Sequence, residues 1–540
     1  MAAARFFEGL GTDEVAGALA SHYLAAFRLA GEGPEADALA TQARLALKGA
    51  AERAEALGST EQAVAMLREA VKVTTDLEER GDLLERASSM GLDTGNADLS
   101  VRVAEEELAA RRELGDSAKI MSATLDLARV ENINRGDSQG AWDRLKALSE
   151  EFPDLLETRV GVRFMVMFSA TSGSLGHDDD RLMWAERAMP LAEKLDDPDL
   201  IAGALISRAI ALTNLGRATE GMILLRGGHE MAQVNGLRGR EINARVLRTF
   251  IEQWAEPAVG LALTHEGLEV ARSYGSTGYW LSLVGNGTIC AFRVGEWDWI
   301  MSITDEALPR AESDPNHRLE FMIDRILVEA GRGHDVTQQI DEAEKLFRLL
   351  HITDLQFQSY VDWARASAAL ADGDLAEAAR RAITAAEVTI FFNPLSMPLA
   401  ARAALWATDL AGARAALESL ETKMYRGKAI TLDKATIRAG IAALEGRTAD
   451  ATVAYRDALR GWRAIGCAWD EALAVIDMAT LLAPSDTDSI AEIDWARETL
   501  QRLGAKPYLD RLEAAVAGGR ATKAAPSSKS VPVDEAAAHA

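Results

Sequence analysis

The sequence predicts an all-α chain folded as a solenoid of about eleven to twelve helical hairpins. Three observations point there. The 540-residue text is rich in Ala, Leu, Glu and Arg and holds only 13 prolines, a balance that favours helix over strand. Aromatics make up 6% of the chain against 48% hydrophobic residues in all, so small aliphatic side chains must do most of the packing. A short signature also returns at close to forty-residue intervals, which marks a repeat array.

The signature is clearest in "LEGRTADATVAYRDAL", residues 444–459. Gly446 opens a turn, and Ala451, Tyr455 and Ala458 follow at five, nine and twelve residues, on one helix face. Gly58 repeats it with Ala63, Leu67 and Ala70, and Gly136 with Ala141, Leu145 and Leu148. Gly216 leads Gly221, Leu225 and Gly228; Gly295 leads Ile300, Thr304 and Ala307; Gly373 leads Ala378, Ala382 and Ala385. Weaker copies at Gly95, Gly176, Glu256, Gly333 and Thr408 fill the gaps, and successive spacings then run from 35 to 41 residues.

Each anchor is read as the turn between two antiparallel helices, with glycine supplying a left-handed or tight backbone. A small residue seven positions upstream (Ala51, Ala209, Ala366, Ala439) lets the first helix lie close to the second. Asp or Thr just after the turn, in "GDSQ", "GDLA" and "GRTAD", is placed to cap the second helix. One pair cannot bury its apolar face alone, so neighbours must stack. The ends depart from the pattern. Residues 1–33 read as an N-terminal helix and linker, 34–516 as the repeat solenoid, and 517–540, rich in Ala, Ser and Pro without periodicity, as a disordered tail.

A formal net charge of −25 repels phosphate backbones and anionic lipid, so nucleic-acid and membrane-surface partners are not expected. The most apolar stretches, 160–170 and 279–292, are too short or too polar to span a bilayer, and no basic start leads into an apolar signal core. The expected location is cytoplasmic. Cys290 and Cys467 alone can build neither a disulfide framework nor a tetrahedral metal site.

No catalytic signature meets its physical requirements. "YRGKAIT" lacks the upstream glycine and the hydroxyl of a phosphate loop, and the eight histidines form no His-Glu-x-x-His pair. "GHDDD" (176–180) and "DTDSIAEID" (486–494) read as capped helix starts rather than cation loops. Gly285 and Gly287 read as a helix-packing surface. A Ser/His/Asp group that assembles only in space stays open, but no Gly-x-Ser-x-Gly elbow is present. The chain is therefore read as no enzyme, with no cofactor and no metal.

The repeat unit resembles the tetratricopeptide repeat, a helix–turn–helix with small residues at the helix contact; HEAT and armadillo repeats share the period. The units run nearer forty residues than thirty-four, and the consensus Trp, Tyr and Pro positions are mostly absent. The resemblance implies a right-handed superhelix whose concave face, lined by first helices, binds a protein or peptide partner. Its groove-facing positions lie three, six, ten and thirteen residues before each anchor. In the middle repeats they fall on Arg163, Asn243, Phe250, Gln253, Phe292, Tyr360 and Trp363. Aromatics with a few amide or guanidinium groups suit peptide recognition; Phe250, Phe292 and Trp363 read equally as inter-repeat core. The basic run "LRGREINARVLRTF" (237–250) adds Arg238, Arg240, Arg245 and Arg248; Arg245 and Arg248, three apart on one face, suit a carboxylate or phosphorylated group, or a neighbouring acidic face.

Residues 18–71, and 497–515 ("RETLQRLGAKPYLDRLEAA"), are similar to the two ends of the tetratricopeptide array in large bacterial signalling proteins that carry an adenylate/guanylate cyclase domain and an ATPase. Neither catalytic module has its motifs here. The resemblance implies a sensor or regulatory array in signal transduction, with a separately encoded ATPase or cyclase as partner.

Overall fold

The computed structural model describes residues 16–94, 96–349, 355–388, 392–423, 425–483 and 486–524. Among them the regular structure is helical throughout, in 26 α-helices. Helix α1 (Ala16–Leu29) leads into the first hairpin, α2 (Pro34–Ala56) and α3 (Thr60–Lys72). Then come α4 (Leu77–Ser89) with α5 (Ala97–Leu114), α6 (Ser117–Asn134) with α7 (Ser138–Glu151), and α8 (Arg159–Ser174) with α9 (Asp178–Lys194). The middle pairs are α10 (Pro198–Asn214) with α11 (Ala218–Val234), α12 (Arg238–Glu252) with α13 (Pro257–Tyr274), and α14 (Thr277–Val294) with α15 (Trp297–Arg310). Next are α16 (Pro315–Arg332) with α17 (Thr337–Leu349), α18 (Leu355–Asp372) with α19 (Leu375–Val388), and α20 (Asn393–Trp406) with α21 (Leu410–Thr422). The array ends with α22 (Lys428–Leu444) and α23 (Thr448–Ala464), α24 (Ala468–Leu482) and α25 (Thr487–Leu503), and the closing helix α26 (Lys506–Ala524). That makes twelve hairpins in a right-handed α-solenoid. Helix α26 runs past position 516, and residues 525–540 of the expected tail lie outside the described residues.

The hairpins form for the reasons legible in the text. Gly58, Gly136, Gly176, Gly216, Gly295, Gly333, Gly373 and Gly446 all sit at turns with φ between 65° and 87°, the left-handed region that side chains resist. Thr408 adopts φ 57° at its anchor without that freedom, while Glu256 keeps φ −140° as an extended cap. The apolar face is buried in every strong copy: Leu67, Leu145, Leu225, Ala382 and Tyr455 are each fully enclosed. So are Ala51, Ala209, Ala366 and Ala439 on the facing helices. Asp137 accepts from Gly140 N and Asp374 from Glu377 N, which caps α7 and α19. In "GRTAD" the cap position falls on Arg447, whose side chain makes no capping bond, so the Thr expected there caps nothing. Asp486 caps α25 through Ser489 N, and His177 stands at the cap of α9. A Cβ on Gly285 would meet the Glu320 carboxylate, and one on Gly287 the Thr264 side chain, so both glycines are packing contacts.

Local repeats do not announce how tightly the superhelix winds. About five hairpins complete one turn, and each turn rests on the next. Between the first and second turns, Thr60 Oγ1 donates to Gly275 O at 3.0 Å, Ala97 N to Ser313 O at 2.9 Å and Asn316 Nδ2 to Ile133 O at 2.9 Å. There Gly58 and Gly275 pass so close that a Cβ on Gly275 would lie 2.5 Å from Gly58 Cα. Between the second and third turns, Ala429 N donates to Ala255 O at 2.9 Å and Ile430 N to Trp254 O at 3.1 Å. Arg332 Nε reaches Leu503 O at 3.2 Å and Arg502 Nη1 reaches Gly295 O at 3.1 Å. A buried ion cluster completes this junction: Arg293 donates to Asp470 at 2.8 Å, to Asp433 at 2.9 Å and to Gln253 O at 3.2 Å.

Candidate functional site: a cavity enclosed by one turn of the superhelix

Because α6 and α16 meet where the turn closes, the first helices between them surround a cavity of about 800 Å³. That lies in the upper part of the range that encloses small ligands. The wall is drawn from α6, α8, α10, α12, α14, α16 and α18, with Arg181 from α9. One position recurs. Arg163, Gly203, Asn243, Ser282, Glu320 and Tyr360 each stand thirteen residues before their anchor and line the cavity in six successive hairpins. The same face continues one helical turn upstream through Arg159, Asp199, Arg240, Tyr279, His317 and Phe357.

The wall has a charge opposite to that of the protein. It carries six arginines (Arg129, Arg159, Arg163, Arg181, Arg238, Arg240) against Asp126, Asp199 and Glu320, an excess of positive charge inside a chain of net −25. Asp199 sits among the arginines. Arg240 grips it with two bonds of 3.0 and 3.1 Å. Burial pushes the Asp199 carboxyl up, but Arg240, then Arg163 and Arg159, outweigh burial and hold its pKa below the ordinary value. Arg163 also donates to Ser122 Oγ at 2.9 Å and to Asp126 at 3.5 Å, and Arg159 pairs with Asp197. Arg238 lies 5.2 Å over the Tyr274 ring.

Across the cavity, Ser282 Oγ is 3.0 Å from His317 Nε2, and His317 Nδ1 is 2.8 Å from the fully buried Asp314. Burial opposes charge on the imidazole, yet Asp314 and then Glu320 hold the His317 pKa above its ordinary value. The order of bonds is that of a serine relay. However, Ser282 also donates to Gly278 O at 3.2 Å, and Asn286 Nδ2 is spent on Val246 O at 3.2 Å. Ser282 lies inside α14, where backbone N–H groups are spent on the helix itself. The Ser282 hydroxyl and the Asp314 carboxylate together fix the orientation of the His317 ring in the wall. Burial also raises Glu320, against His317 and the Tyr360 hydroxyl, which donates to it at 2.9 Å.

Four of the nine residues singled out from the sequence, Arg163, Asn243, Phe250 and Tyr360, come together in this wall. The others stand elsewhere. Gln253, 2% exposed, donates to Asn286 Oδ1 at 3.1 Å beside the Arg293 cluster. Phe292 stacks on Trp297 at 5.2 Å and meets Trp469 of the next turn edge-on. Trp363 is buried against Phe392. Arg245 pairs with Glu241 and with Glu266 of α13, and Arg248 faces Glu252 at 4.0 Å. Gln253 is buried by the adjacent hairpin, through Asn286 and Arg293, and Phe292 by Trp469 of the following superhelical turn. Arg240 belongs to the basic run read from the sequence, whereas Arg159, Ser282 and His317 emerge only when the thirteen-residue position is extended to every hairpin and one turn upstream.

Cys290 and Cys467 are free and buried, and no group of three or more His, Cys, Asp or Glu suited to a metal occurs among the described residues. No described helix is long and apolar enough to cross a membrane.

No protein-family model and no curated protein matches the chain. Several solved helical-repeat structures resemble it. The Rap protein complexed with competence and sporulation factor is 15% identical, with a TM-score of 0.39, covering 71% of this chain and 96% of that one. The Cut9 and Hcn1 hetero-tetramer of the APC/C is 14% identical, with a TM-score of 0.43, covering 89% and 91%. Yeast Tom70 is 12% identical, with a TM-score of 0.29, covering 89% and 96%. At these scores the likeness carries no functional argument, and the architecture rests on the hairpins themselves.

Proposed function

We propose that the chain is a protein-interaction scaffold whose central cavity holds a segment of a partner protein or a peptide. One observation carries this: a full turn of first helices, each contributing the same face, surrounds a single polar and apolar chamber. A solenoid that needed only to span distance would have no use for such a chamber. Repeated first-helix faces with aromatic, amide and guanidinium groups suit main-chain and side-chain recognition of an extended segment. The protein binds its partner without transforming it.

Replacement of Asn243 by tryptophan tests this, because Asn243 is half-buried in the wall and a bulky ring there fills the chamber from inside. Peptides selected from a displayed library on the wild-type protein are expected to bind Asn243→Trp at least tenfold more weakly, with the helical circular dichroism unchanged. Selected peptides that bind both proteins equally would place recognition on another surface and refute the proposal.

The similarity of residues 18–71 and 497–515 to the ends of cyclase- and ATPase-linked arrays favours a second reading. In it the scaffold is the sensor or regulatory portion of a signalling system and acts on a separately encoded catalytic chain. A co-transcribed cyclase or ATPase that changes its turnover when this protein is added supports it; unchanged turnover counts against it.

A further inference from the structure

We propose that the segment held in the cavity is short, acidic and amphipathic, with carboxylates seated among Arg159, Arg163 and Arg240 and apolar side chains against Ile206, Leu247 and Phe250. This rests on the reading of the cavity as a partner-segment site and specifies the chemistry of its occupant.

Charge is the first argument. Arg240 pairs with Asp199, Arg163 with Asp126 and Arg159 with Asp197, but the six arginines of the wall outnumber its three carboxylates, and carboxylates from a ligand would neutralise that excess. Elsewhere the chain is acidic, so its field repels anions in general; a cationic chamber within it selects those that can enter. A low-dielectric wall focuses that field. Arginine also matches carboxylate geometry with paired donors.

Layering is the second. The first helices α8, α10 and α12 run side by side in the same direction, so sequence offset measures depth along the wall. Arg163, Asp199 and Arg240 lie in the first two turns, while Ala170, Ile206 and Leu247 lie seven residues further along their helices. At a rise of 1.5 Å per residue that is about 10 Å. The cavity therefore presents a guanidinium layer and, about three residues of extended chain deeper, an aliphatic and aromatic layer. An extended peptide with alternating acidic and apolar residues can satisfy both. The turn closes at Asn316 and Ile133 on one side, and a volume of about 800 Å³ suits a short segment rather than a folded domain. A nucleic-acid strand would offer phosphate to the arginines but meets the repulsion of a strongly acidic protein.

The test uses three fluorescein-labelled, N-acetylated and C-amidated hexapeptides, titrated into the full chain and read by anisotropy: alternating aspartate–leucine, asparagine–leucine and lysine–leucine. The acidic peptide is expected to bind at least tenfold more tightly than the asparagine peptide, and the lysine peptide most weakly. Added salt should narrow the difference, since these are partly exposed charges. Arg163→Gln/Arg240→Gln should bring the acidic and asparagine peptides to within about threefold. Arg159→Gln is the companion variant, because a side chain 69% exposed contributes little to the fold; it should reduce the preference severalfold. Equal binding of acidic and asparagine peptides, both blocked by Asn243→Trp, overturns the charge inference and leaves the cavity reading standing. Binding of none of the three also overturns it, and the cavity reading then depends on the library selection alone.

Discussion

Replacing Arg293 by methionine should lower the thermal midpoint by roughly 10 °C at pH 8 and by clearly less at pH 5. Arg293 is 7% exposed and pairs directly with both Asp433 and Asp470 where the second turn meets the third. Removing one partner of a buried ion cluster leaves uncompensated charge, at about 3–5 kcal/mol. A change of that size shifts the midpoint of a large domain by about 2–4 °C per kcal/mol. The pH dependence follows from Asp433. Burial, against the pull of Arg293, already raises its carboxyl to about 6, above the unfolded value of about 3.9. Such a group contributes stability below the unfolded pKa and loses it as pH rises through the folded one. Without Arg293 the folded value climbs further, so a protonated Asp433 tolerates burial at pH 5 and an ionised one does not at pH 8. A midpoint that falls equally at both pH values would show that Arg293 acts by packing alone.

Gly427→Val should open the same junction by a different route. Gly427 has φ 148°, and a Cβ there would lie 2.5 Å from Ala255 Cα and 2.9 Å from Trp254 O. Both atoms are backbone and cannot rotate aside. The two bonds that begin α22 across the junction, to Ala255 O and Trp254 O, would part. Strain plus lost contacts should destabilise by more than about 3 kcal/mol and speed amide exchange through residues 428–482. Because both changes break one junction, the Arg293→Met/Gly427→Val double variant should lose less than the sum of the two. Strict additivity would mean that the two sites act independently and that the junction is not one cooperative contact.

The hairpins were legible because each is specified within forty residues. Leu67, Leu145 and Leu225 declare a buried face, and Gly446 or Gly136 declares a turn that needs positive φ. What joins the turns is not written locally. Arg293 meets Asp470 across 177 residues of chain, and Asn134 meets Asp314 across 180. Read along the sequence, Arg293, Asp433 and Asp470 are ordinary helix charges, since only the pitch of the superhelix brings them together. The same pitch decides the site. Arg163, Asn243, Phe250 and Tyr360 could be named from a fixed offset because that offset faces the axis at every level. Phe292 and Gln253 obey the rule near the ends of their helices, where Trp469 of the next turn covers the first and Asn286 and Arg293 of the adjacent hairpin cover the second. The role of His317 is not legible in the sequence because Ser282 lies on the preceding hairpin, 35 residues away, and joins the local Asp314–His317 pair only in space.

Closure of one superhelical turn on the next is what makes a chamber out of a groove, and both functional proposals depend on it. It can be tested without a ligand. Ser59 and Ser273 are exposed and flank the Gly58–Gly275 contact, whereas the native Cys290 and Cys467 are buried. In a Ser59→Cys/Ser273→Cys variant, a short bismaleimide should link the two positions within the native monomer rapidly and nearly completely. A control pair, Ser59→Cys with exposed Val453→Cys, should stay unlinked. Equal, slow linking of both pairs would mean that the turns stand apart in solution, and would contradict the enclosed cavity.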